Sequence, residues 1–303
     1  MDYFLYIRFI KINIMIKFPF TSILGWSSSR YDIFSSCKRK YFYAYYSKYD
    51  KELSLDKINN LKKLTSVALE IGNITHDIIR DILIRLQKND KPINESKLDA
   101  YIDKLTQDYC SSKQFFEVYY KQMSSIPIEH IRETTSSSIK NFIKSERFDW
   151  IRARSNKSDW IIEPAGYGET RINELKAYCK VDFLLLDGDK SYIFDWKTGK
   201  KDLTKHRKQL LGYSLFAQNN LGFKKEHITP MVVYLKDNYE EITFENEENE
   251  IENFYNIVLS ETQEMYNFLE NIEQNTPKSK NEFPMIEKTG LCGYCEYKEL
   301  CGR

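Results

Sequence analysis

The stretch VDFLLLDGDKSYIFDWKTGK, residues 181–200, decides the fold of this 303-residue chain. Two apolar runs flank the polar sequence DGDK at 187–190, which is typical of a tight turn, so the stretch predicts a β-hairpin. If the two middle residues of DGDK form the tip, Asp182 lies directly across from Asp195. Because side chains alternate between the two faces of a sheet, Lys197 projects to the same face as Asp195.

Two carboxylates and one ammonium would therefore converge on a mostly apolar sheet. Carboxylates that face each other repel, and burying them unpaired is costly. A hard cation such as Mg²⁺ or Mn²⁺ resolves this conflict, since it accepts carboxylate and water oxygens. Such an ion polarises a phosphodiester, and Lys197 can orient the attacking water or stabilise developing charge. The alternative is an edge hairpin whose Asp182, Asp195 and Lys197 face solvent.

Three further side chains are candidates for the same site. Gln209 and Tyr213 are four residues apart in KHRKQLLGYSLFA and so share one helix face, from which they can reach the metal or the substrate. His76 lies on an amphipathic helix, and imidazole is a common metal ligand. The alternatives are a polar helix face for the first pair and a structural role for His76.

The order of predicted elements indicates an α/β protein with strands placed between helical flanks. We expect one domain over 27–303, mainly helical at 27–148, with a catalytic sheet and helix at 158–240 and a helix and Cys-rich tail at 250–303. Residues 1–26 are an N-terminal extension of uncertain role, and Met15 is an alternative start. Periodicity predicts helices at 27–49, 63–89, 96–123, 128–146, 203–219 and 250–273, and strands at 160–162, 178–186, 191–197 and 231–235.

The overall charge is nearly balanced, with 45 basic and 44 acidic residues. This balance argues against a uniformly basic nucleic-acid coat, so any such site depends on local clusters. The candidates for phosphate contacts are Lys38 and Arg39, among tyrosines, and a second group near the hairpin: Lys200, Lys201, Arg207 and Lys208. The alternative for both groups is a solvated helix face.

We expect no transmembrane segment and no export signal, because charges interrupt the apolar N-terminal stretch and no small-residue cleavage site precedes Ser27. We therefore expect a cytoplasmic protein without a membrane partner. In that compartment cysteines bind metal or stay reduced rather than form disulfides.

Three cysteines, Cys292, Cys295 and Cys301, stand in a C-x₂-C-x₅-C pattern at the C-terminus. Four thiolates suit either zinc or a [4Fe–4S] cluster. Cys37 is the preferred fourth ligand because its segment is basic and aromatic, and Cys110 and Cys179 are the alternatives. Zinc is less favoured, since zinc ribbons usually use two close pairs.

Six pieces in chain order resemble the RecB/AddB-type branch of the PD-(D/E)XK nuclease superfamily with an iron–sulfur cluster, as in the CRISPR-associated adaptation exonucleases. They are SSSRYDIFSSCKRKYFY, GNITHDII, CKVDFLLL, YIFDWKTGK, QLLGY and CGYCEYKELC. Each piece is weak alone, but the ordered set covers residues 27–303.

The resemblance implies a restriction-endonuclease-like mixed sheet flanked by helices, with an iron–sulfur cluster that fastens the C-terminus. It assigns His76, Asp182 and Asp195 to a catalytic Mg²⁺ or Mn²⁺, and Lys197 to catalysis. Gln209 and Tyr213 become active-site and DNA contacts. Cys37 and the C-terminal cysteine triplet become ligands of a structural [4Fe–4S] cluster.

The function implied is a metal-dependent DNA nuclease, an exonuclease on single strands or DNA ends, in repair, recombination or phage or CRISPR-type defence. The alternative is a non-catalytic DNA-binding subunit of a larger helicase–nuclease complex. The chain lacks a Walker A motif, so a helicase would be a separate repair or defence partner. The long helical segment at 77–148 has no role readable from the motifs.

Overall fold

The computed structural model describes residues 18–89, 91–155, 158–163 and 168–303. The first 17 residues of the expected N-terminal extension, including Met15, lie outside the described residues. The N-terminal half is helical, as predicted. Its helices are α1 (Ser28–Ser36), α2 (Lys38–Tyr46), α3 (Leu55–Lys62), α4 (Val67–Lys88), α5 (Glu95–Ser112), α6 (Phe116–Tyr119), α7 (Ile128–Ile143) and α8 (Glu146–Arg152).

The helix expected at 27–49 is instead two helices, because Cys37 adopts an extended backbone with φ −164° and ψ 118°. Its amide closes α1 on the carbonyl of Ile33, and its thiol accepts a hydrogen bond from the amide of Lys40 at the start of α2. The helix expected at 96–123 likewise ends at Ser112. There the chain turns to exchange backbone hydrogen bonds with Thr65 before α6 begins.

Within the described residues the central sheet has five strands in the order β1–β4–β5–β6–β7. Its members are β1 (Asp159–Ile162), β4 (Phe183–Asp187), β5 (Lys190–Lys197), β6 (Ile228–Tyr234) and β7 (Glu240–Thr243). The predicted hairpin is confirmed in its register, since Phe183 pairs with Phe194 and Asp187 with Lys190. β5 and β6 are parallel and are joined through helix α9 (Leu203–Leu221), so the sheet is mixed and the class is α/β.

Several short strands differ from the prediction. The strand expected at 178–186 is divided, because Tyr178 ends β3 (Leu175–Tyr178), which pairs with β2 (Glu169–Ile172). β7 lies in a stretch that reads as a solvated loop, and its Glu241 is fixed by Arg147 of α8. Helix α10 (Glu248–Tyr266) is shorter than expected and is followed by β8 (Leu269–Asn271) and β9 (Thr276–Pro277). β2–β3 and β8–β9 are local hairpins of strands with only two to four residues, too short for a period-two pattern to show in the sequence. The contacts that hold β3 and β7 from elsewhere come from Trp26 and Arg147, which are far away in sequence.

Both faces of the sheet are buried, by different helices. Leu184, Ile193 and Val232 belong to a core that includes residues of α2, α9 and α10, whereas Phe183 and Trp196 belong to a second core with α4, α5 and α7. β5 is an interior strand, so the alternative of a solvent-facing edge hairpin is wrong. The sheet therefore carries Asp195 into the interior of the protein.

Helix α4 crosses near the end of β5 and places one polar residue there. It begins at the cap Ser66, whose side chain accepts from the amide of Leu69, and it buries a stripe of isoleucines and leucines against the second core. His76 lies at the middle of its 22 residues. Among the described residues, no helix has the length and apolar character to cross a membrane.

Two glycines near β4, Gly168 and Gly188, have left-handed backbones but differ in how closely other atoms approach them. Gly168 has φ +63° and Gly188, at the hairpin tip, has φ +66°. A Cβ on Gly168 would lie 2.3 Å from the carbonyl oxygen of Cys179, whereas no described atom lies within 4 Å of a Cβ on Gly188.

We predict that Gly188→Ala lowers the free energy of unfolding by about 1–2 kcal/mol, the cost of a left-handed alanine, and that Gly168→Ala lowers it by clearly more because its methyl group would also clash. Urea unfolding of both variants checks this, and equal losses would contradict the close approach.

Candidate active site

Asp182, Asp195 and Lys197 meet on one face of the sheet, as the hairpin register predicts. Asp182 immediately precedes β4, and its Oδ2 accepts a hydrogen bond from the amide of Trp196 at 3.2 Å. In β5, Nζ of Lys197 lies 2.7 Å from Oδ2 of Asp195. Two carboxylates and one ammonium therefore share a site whose positions are fixed by backbone pairing.

Asp195 is completely buried and poorly satisfied. The Lys197 contact is short but badly directed, and within the described residues neither carboxylate oxygen accepts a well-directed hydrogen bond. Burial raises the pKa of Asp195 to about 6, against the opposing effect of Lys197 and with a further rise from Asp182. A buried carboxylate with unused oxygens is costly for a purely structural residue, and it is a fitting donor for a hard cation.

His76 approaches the carboxylates from α4. Its Nε2 lies 2.9 Å from the carbonyl oxygen of Trp196, which can only accept, so Nε2 carries a proton and donates it. Its Nδ1 lies 3.5 Å from Oδ2 of Asp182. Burial, the largest single effect, lowers the pKa of His76, but the charge and hydrogen bond of Asp182 and the charge of Asp195 together raise it above its ordinary value. In turn His76, Lys197 and the Trp196 amide together hold the pKa of Asp182 below its ordinary value despite burial. A histidine that gives one N–H to a backbone carbonyl and turns its other nitrogen toward carboxylates is oriented as metal ligands are.

Gln209 and Tyr213 reach the site from α9 and form a hydrogen-bonded chain with Lys197. Nζ of Lys197 donates to Oε1 of Gln209 at 3.0 Å, and Nε2 of Gln209 donates to the hydroxyl of Tyr213. Tyr213 is buried, and burial followed by the two aspartates raises its pKa well above 10, so it stays a neutral phenol. The pair is therefore not a solvated polar face but a support that holds the lysine from behind.

Two cavities meet at Asp182 and make the site accessible. The first, of about 760 Å³, lies on the side of α1 and α9 and is lined by Ser27, Arg30, Gln209 and Tyr213 among others. The second, of about 440 Å³, lies between α4, α5 and the end of β5. Both are lined by Asp182 and by Lys180. Asp182 can thus be reached from either side, whereas Asp195 lies behind it and lines neither cavity.

Sequence reasoning missed two side chains that line these cavities. Lys180 stands two residues before Asp182, and its proximity to the hairpin was the available signal. Tyr109 lies on α5 and lines the second cavity, yet nothing in the sequence around it indicates that position.

The predicted phosphate-binding residues mostly contact the protein itself. Lys38 donates to the carbonyl of Phe34, and Arg39 donates to that of Phe283. Nearer the hairpin, the ion pairs are Lys201 with Glu240, Arg207 with Glu250 and Lys208 with Glu261. Lys200 is exposed and has no partner in the part of the chain that the structure describes. A role of these six residues in DNA binding stays a prediction.

The four cysteines predicted as ligands line one small cavity beside α2. Cys37, Cys292, Cys295 and Cys301 all border it, whereas Cys110 and Cys179 are buried elsewhere. All six are free thiols. Across residues 18–303, excluding the undescribed gaps, no group of three or more His, Cys, Asp or Glu side chains forms a ready-made metal site. The fold therefore collects the predicted set without drawing it into coordinating geometry.

Comparison with known proteins identifies the family. The model of the PD-(D/E)XK nuclease superfamily matches residues 25–302. No curated protein matches the sequence. Among solved structures, the crystal structure of SSO0001 is similar over 61% of this chain and 78% of that chain, with 18% identity and a TM-score of 0.28, a likeness too low to carry any argument. Because the family match spans nearly the whole chain, including both aspartates, Lys197 and the C-terminal cysteines, this protein belongs to the PD-(D/E)XK nuclease superfamily.

Proposed function

We propose that this protein is a Mg²⁺- or Mn²⁺-dependent deoxyribonuclease of the RecB/AddB-type branch, acting as an exonuclease on single strands or DNA ends. The observation that carries the proposal is Asp195, a fully buried carboxylate that pairs with Lys197 through one oxygen and accepts no well-directed hydrogen bond from the described residues. In a purely structural strand such a residue would lower stability without a sufficient compensating interaction. In a nuclease it is the donor that holds a cation against a phosphate.

Asp182, Asp195 and Nδ1 of His76 are the groups that would hold the ion. When bound, it would polarise the phosphodiester and lower the pKa of a coordinated water. Both carboxylates are hard oxygen donors, which suits Mg²⁺ and Mn²⁺. The contact from Trp196 to Asp182 and the hydrogen bond from His76 to the Trp196 carbonyl fix two of these donors to β5.

Lys197 supplies positive charge where the phosphate becomes more negative. Gln209 holds its ammonium in place, and Tyr213 holds Gln209, so little reorganisation is needed during reaction. Water attacks phosphorus, the bond to the bridging 3′ oxygen breaks, and that oxygen takes up a proton. The expected products are a 3′-hydroxyl and a 5′-phosphate, as the family resemblance implies.

We further propose that the four cysteines hold a [4Fe–4S] cluster with a structural role. Cys37 comes from the break between α1 and α2, and the other three come from the tail. The tail is already fastened nearby, since Arg39 donates to Phe283 and Lys40 pairs with Glu296 at 2.7 Å. Lys40, Lys298 and Arg303 also border the cavity, and positive side chains favour thiolates and an anionic cluster.

The catalytic assignment predicts that Asp195→Asn and Lys197→Ala each lower cleavage by about 100-fold or more, because each removes charge stabilisation in a buried site. Initial rates on end-labelled single-stranded DNA with a Mg²⁺ or Mn²⁺ titration measure this. Matched controls come from the other end of the same hairpin: Asp189→Asn and Lys190→Ala alter exposed residues and should cleave normally.

Retained cleavage by an Asp195→Ala, Lys197→Ala double variant would refute the assignment. Tight DNA binding by the wild type without cleavage in any divalent metal would instead favour the non-catalytic subunit.

The hydrogen-bonded chain behind Lys197 predicts a smaller effect on a different kinetic constant. Gln209→Ala frees the lysine without removing its charge, so we expect kcat to fall by about 10- to 100-fold, less than in Lys197→Ala. KM for DNA should change little. Tyr213→Phe should fall between Gln209→Ala and wild type. An effect confined to KM would contradict a positioning role.

The cluster assignment predicts that anaerobically purified protein is brown and carries close to four iron atoms and four sulfides per chain. Cys37→Ser and Cys292→Ser should lose most of the iron and expose the tail to proteolysis. Cys110→Ser is the control, since that buried residue lies away from the cavity. Stoichiometric zinc without iron would overturn the assignment.

A further inference from the structure

Helix α5 belongs to the segment that no motif explains, yet it forms one wall of the second cavity. The cavity is lined on its helical side by Asp77 and His76 of α4, by Tyr109 of α5 and by Lys113, which follows α5. Opposite them lie Trp196 and Lys197 at the end of β5. Tyr109 therefore lines the same cavity as the catalytic lysine.

The Tyr109 ring is fixed in place from two directions. Its hydroxyl donates to the carboxylate of Asp77, which Arg80 also contacts. Nζ of Lys113 lies over one face of the ring, 3.9 Å from its centroid, and is itself held by the buried Glu70 at 2.7 Å, so a base would have to stack on the opposite face. A ring that is already immobilised loses little conformational freedom when a ligand stacks on it.

Lys180 supplies a cation that both cavities share. Its side chain is 59% exposed, and its closest acidic group is Glu163, 3.6 Å away. It lines both cavities together with Asp182. A phosphate that approaches Asp182 through either cavity therefore comes near this ammonium.

We propose that the second cavity is a binding subsite for one unpaired nucleotide of a DNA strand, with Tyr109 stacking on the base and Lys180 contacting a phosphate next to the scissile one. This inference rests on the proposed nuclease function and adds the reason for its single-strand preference. A cavity of about 440 Å³ has the size of a small-molecule site, so a single nucleotide fits. An unpaired base can enter it at once, whereas a base in a duplex must first leave its pair and its stack. Stacking on an aromatic ring tolerates any base, as an exonuclease requires.

The test measures binding separately from cleavage. A fluorescent oligo-dT is titrated with full-length protein in the Asp195→Asn background, and fluorescence anisotropy gives Kd. We expect Tyr109→Ala to raise Kd about 5- to 150-fold, the range for loss of one base–aromatic stack of about 1–3 kcal/mol. Tyr109→Phe keeps the ring and should bind within about twofold of the background protein.

Tyr101 offers a matched control on the same helix. Like Tyr109, it donates its hydroxyl to an aspartate of α4, in this case Asp81, but it does not border the cavity. Tyr101→Ala should leave Kd unchanged. Lys180→Ala should weaken binding and reduce its salt dependence by about one phosphate contact, whereas Lys190→Ala at the hairpin tip should not.

Several outcomes would overturn the proposal. If Tyr109→Phe is as damaging as Tyr109→Ala, the hydroxyl acts by holding Asp77 and no stacking occurs. If Tyr109→Ala weakens a blunt duplex as much as oligo-dT, or if the background protein fails to bind oligo-dT, the subsite is not for an unpaired nucleotide. Tyr109→Leu, which keeps bulk but not the aromatic face, covers the case in which Tyr109→Ala fails to fold, and normal binding by it refutes stacking.

The two proposals fail separately. If the wild type cleaves normally and Tyr109→Ala binds oligo-dT as well as the background protein does, only the subsite proposal is refuted. Conversely, if oligo-dT binding depends on Tyr109 but the wild type never cleaves DNA, the nuclease proposal is refuted and the subsite proposal is supported.

Discussion

The rest of the site depends on the burial of Asp195 beside Lys197 in an interior strand. A carboxylate at that position loses its hydration, and the single badly directed contact with Lys197 does not replace it. The surrounding sheet must therefore be stable enough to carry this cost. It is, because Phe183, Phe194 and Trp196 stack on the opposite face with ring centroids 5.3 to 6.5 Å apart. The face of the sheet that carries Asp195 and Lys197 is therefore supported by the packed aromatic rings of the opposite face.

The two helices that flank the strand pair complete the site from opposite sides. α4 belongs to one core and delivers His76, whereas α9 belongs to the other and delivers Gln209 and Tyr213. Each contribution is anchored on the sheet: His76 binds the Trp196 carbonyl, and Gln209 binds Lys197. The geometry of the site is thus set by the packing of both cores, and a change in either helix alters it.

The cysteine-lined cavity lies where the C-terminal tail is held against the rest of the protein. The described tail after β9 contains three short 3₁₀ helices, and its fully buried apolar side chains are those of Phe283 and Tyr297, so it buries little apolar surface of its own. Ion pairs and backbone contacts with α2 and its neighbourhood hold it, among them Lys280 with Asp50 at 3.1 Å. A cluster joining Cys37 to the C-terminal triplet would close a loop of most of the chain, where a cross-link restricts the unfolded state most.

The sequence by itself determined the hairpin, its register and the shared face of Asp182, Asp195 and Lys197, because turn chemistry and a period of two act between near neighbours. It also placed His76, Gln209 and Tyr213 on helices that do form. Only the tertiary structure decided which partners the predicted basic residues meet, that Arg147 fixes Glu241 of β7, that Trp26 pairs with β3, and that Tyr109 and Lys180 line a cavity with Asp182. Those facts depend on contacts between residues distant along the chain, and no local pattern encodes which distant partner a side chain meets.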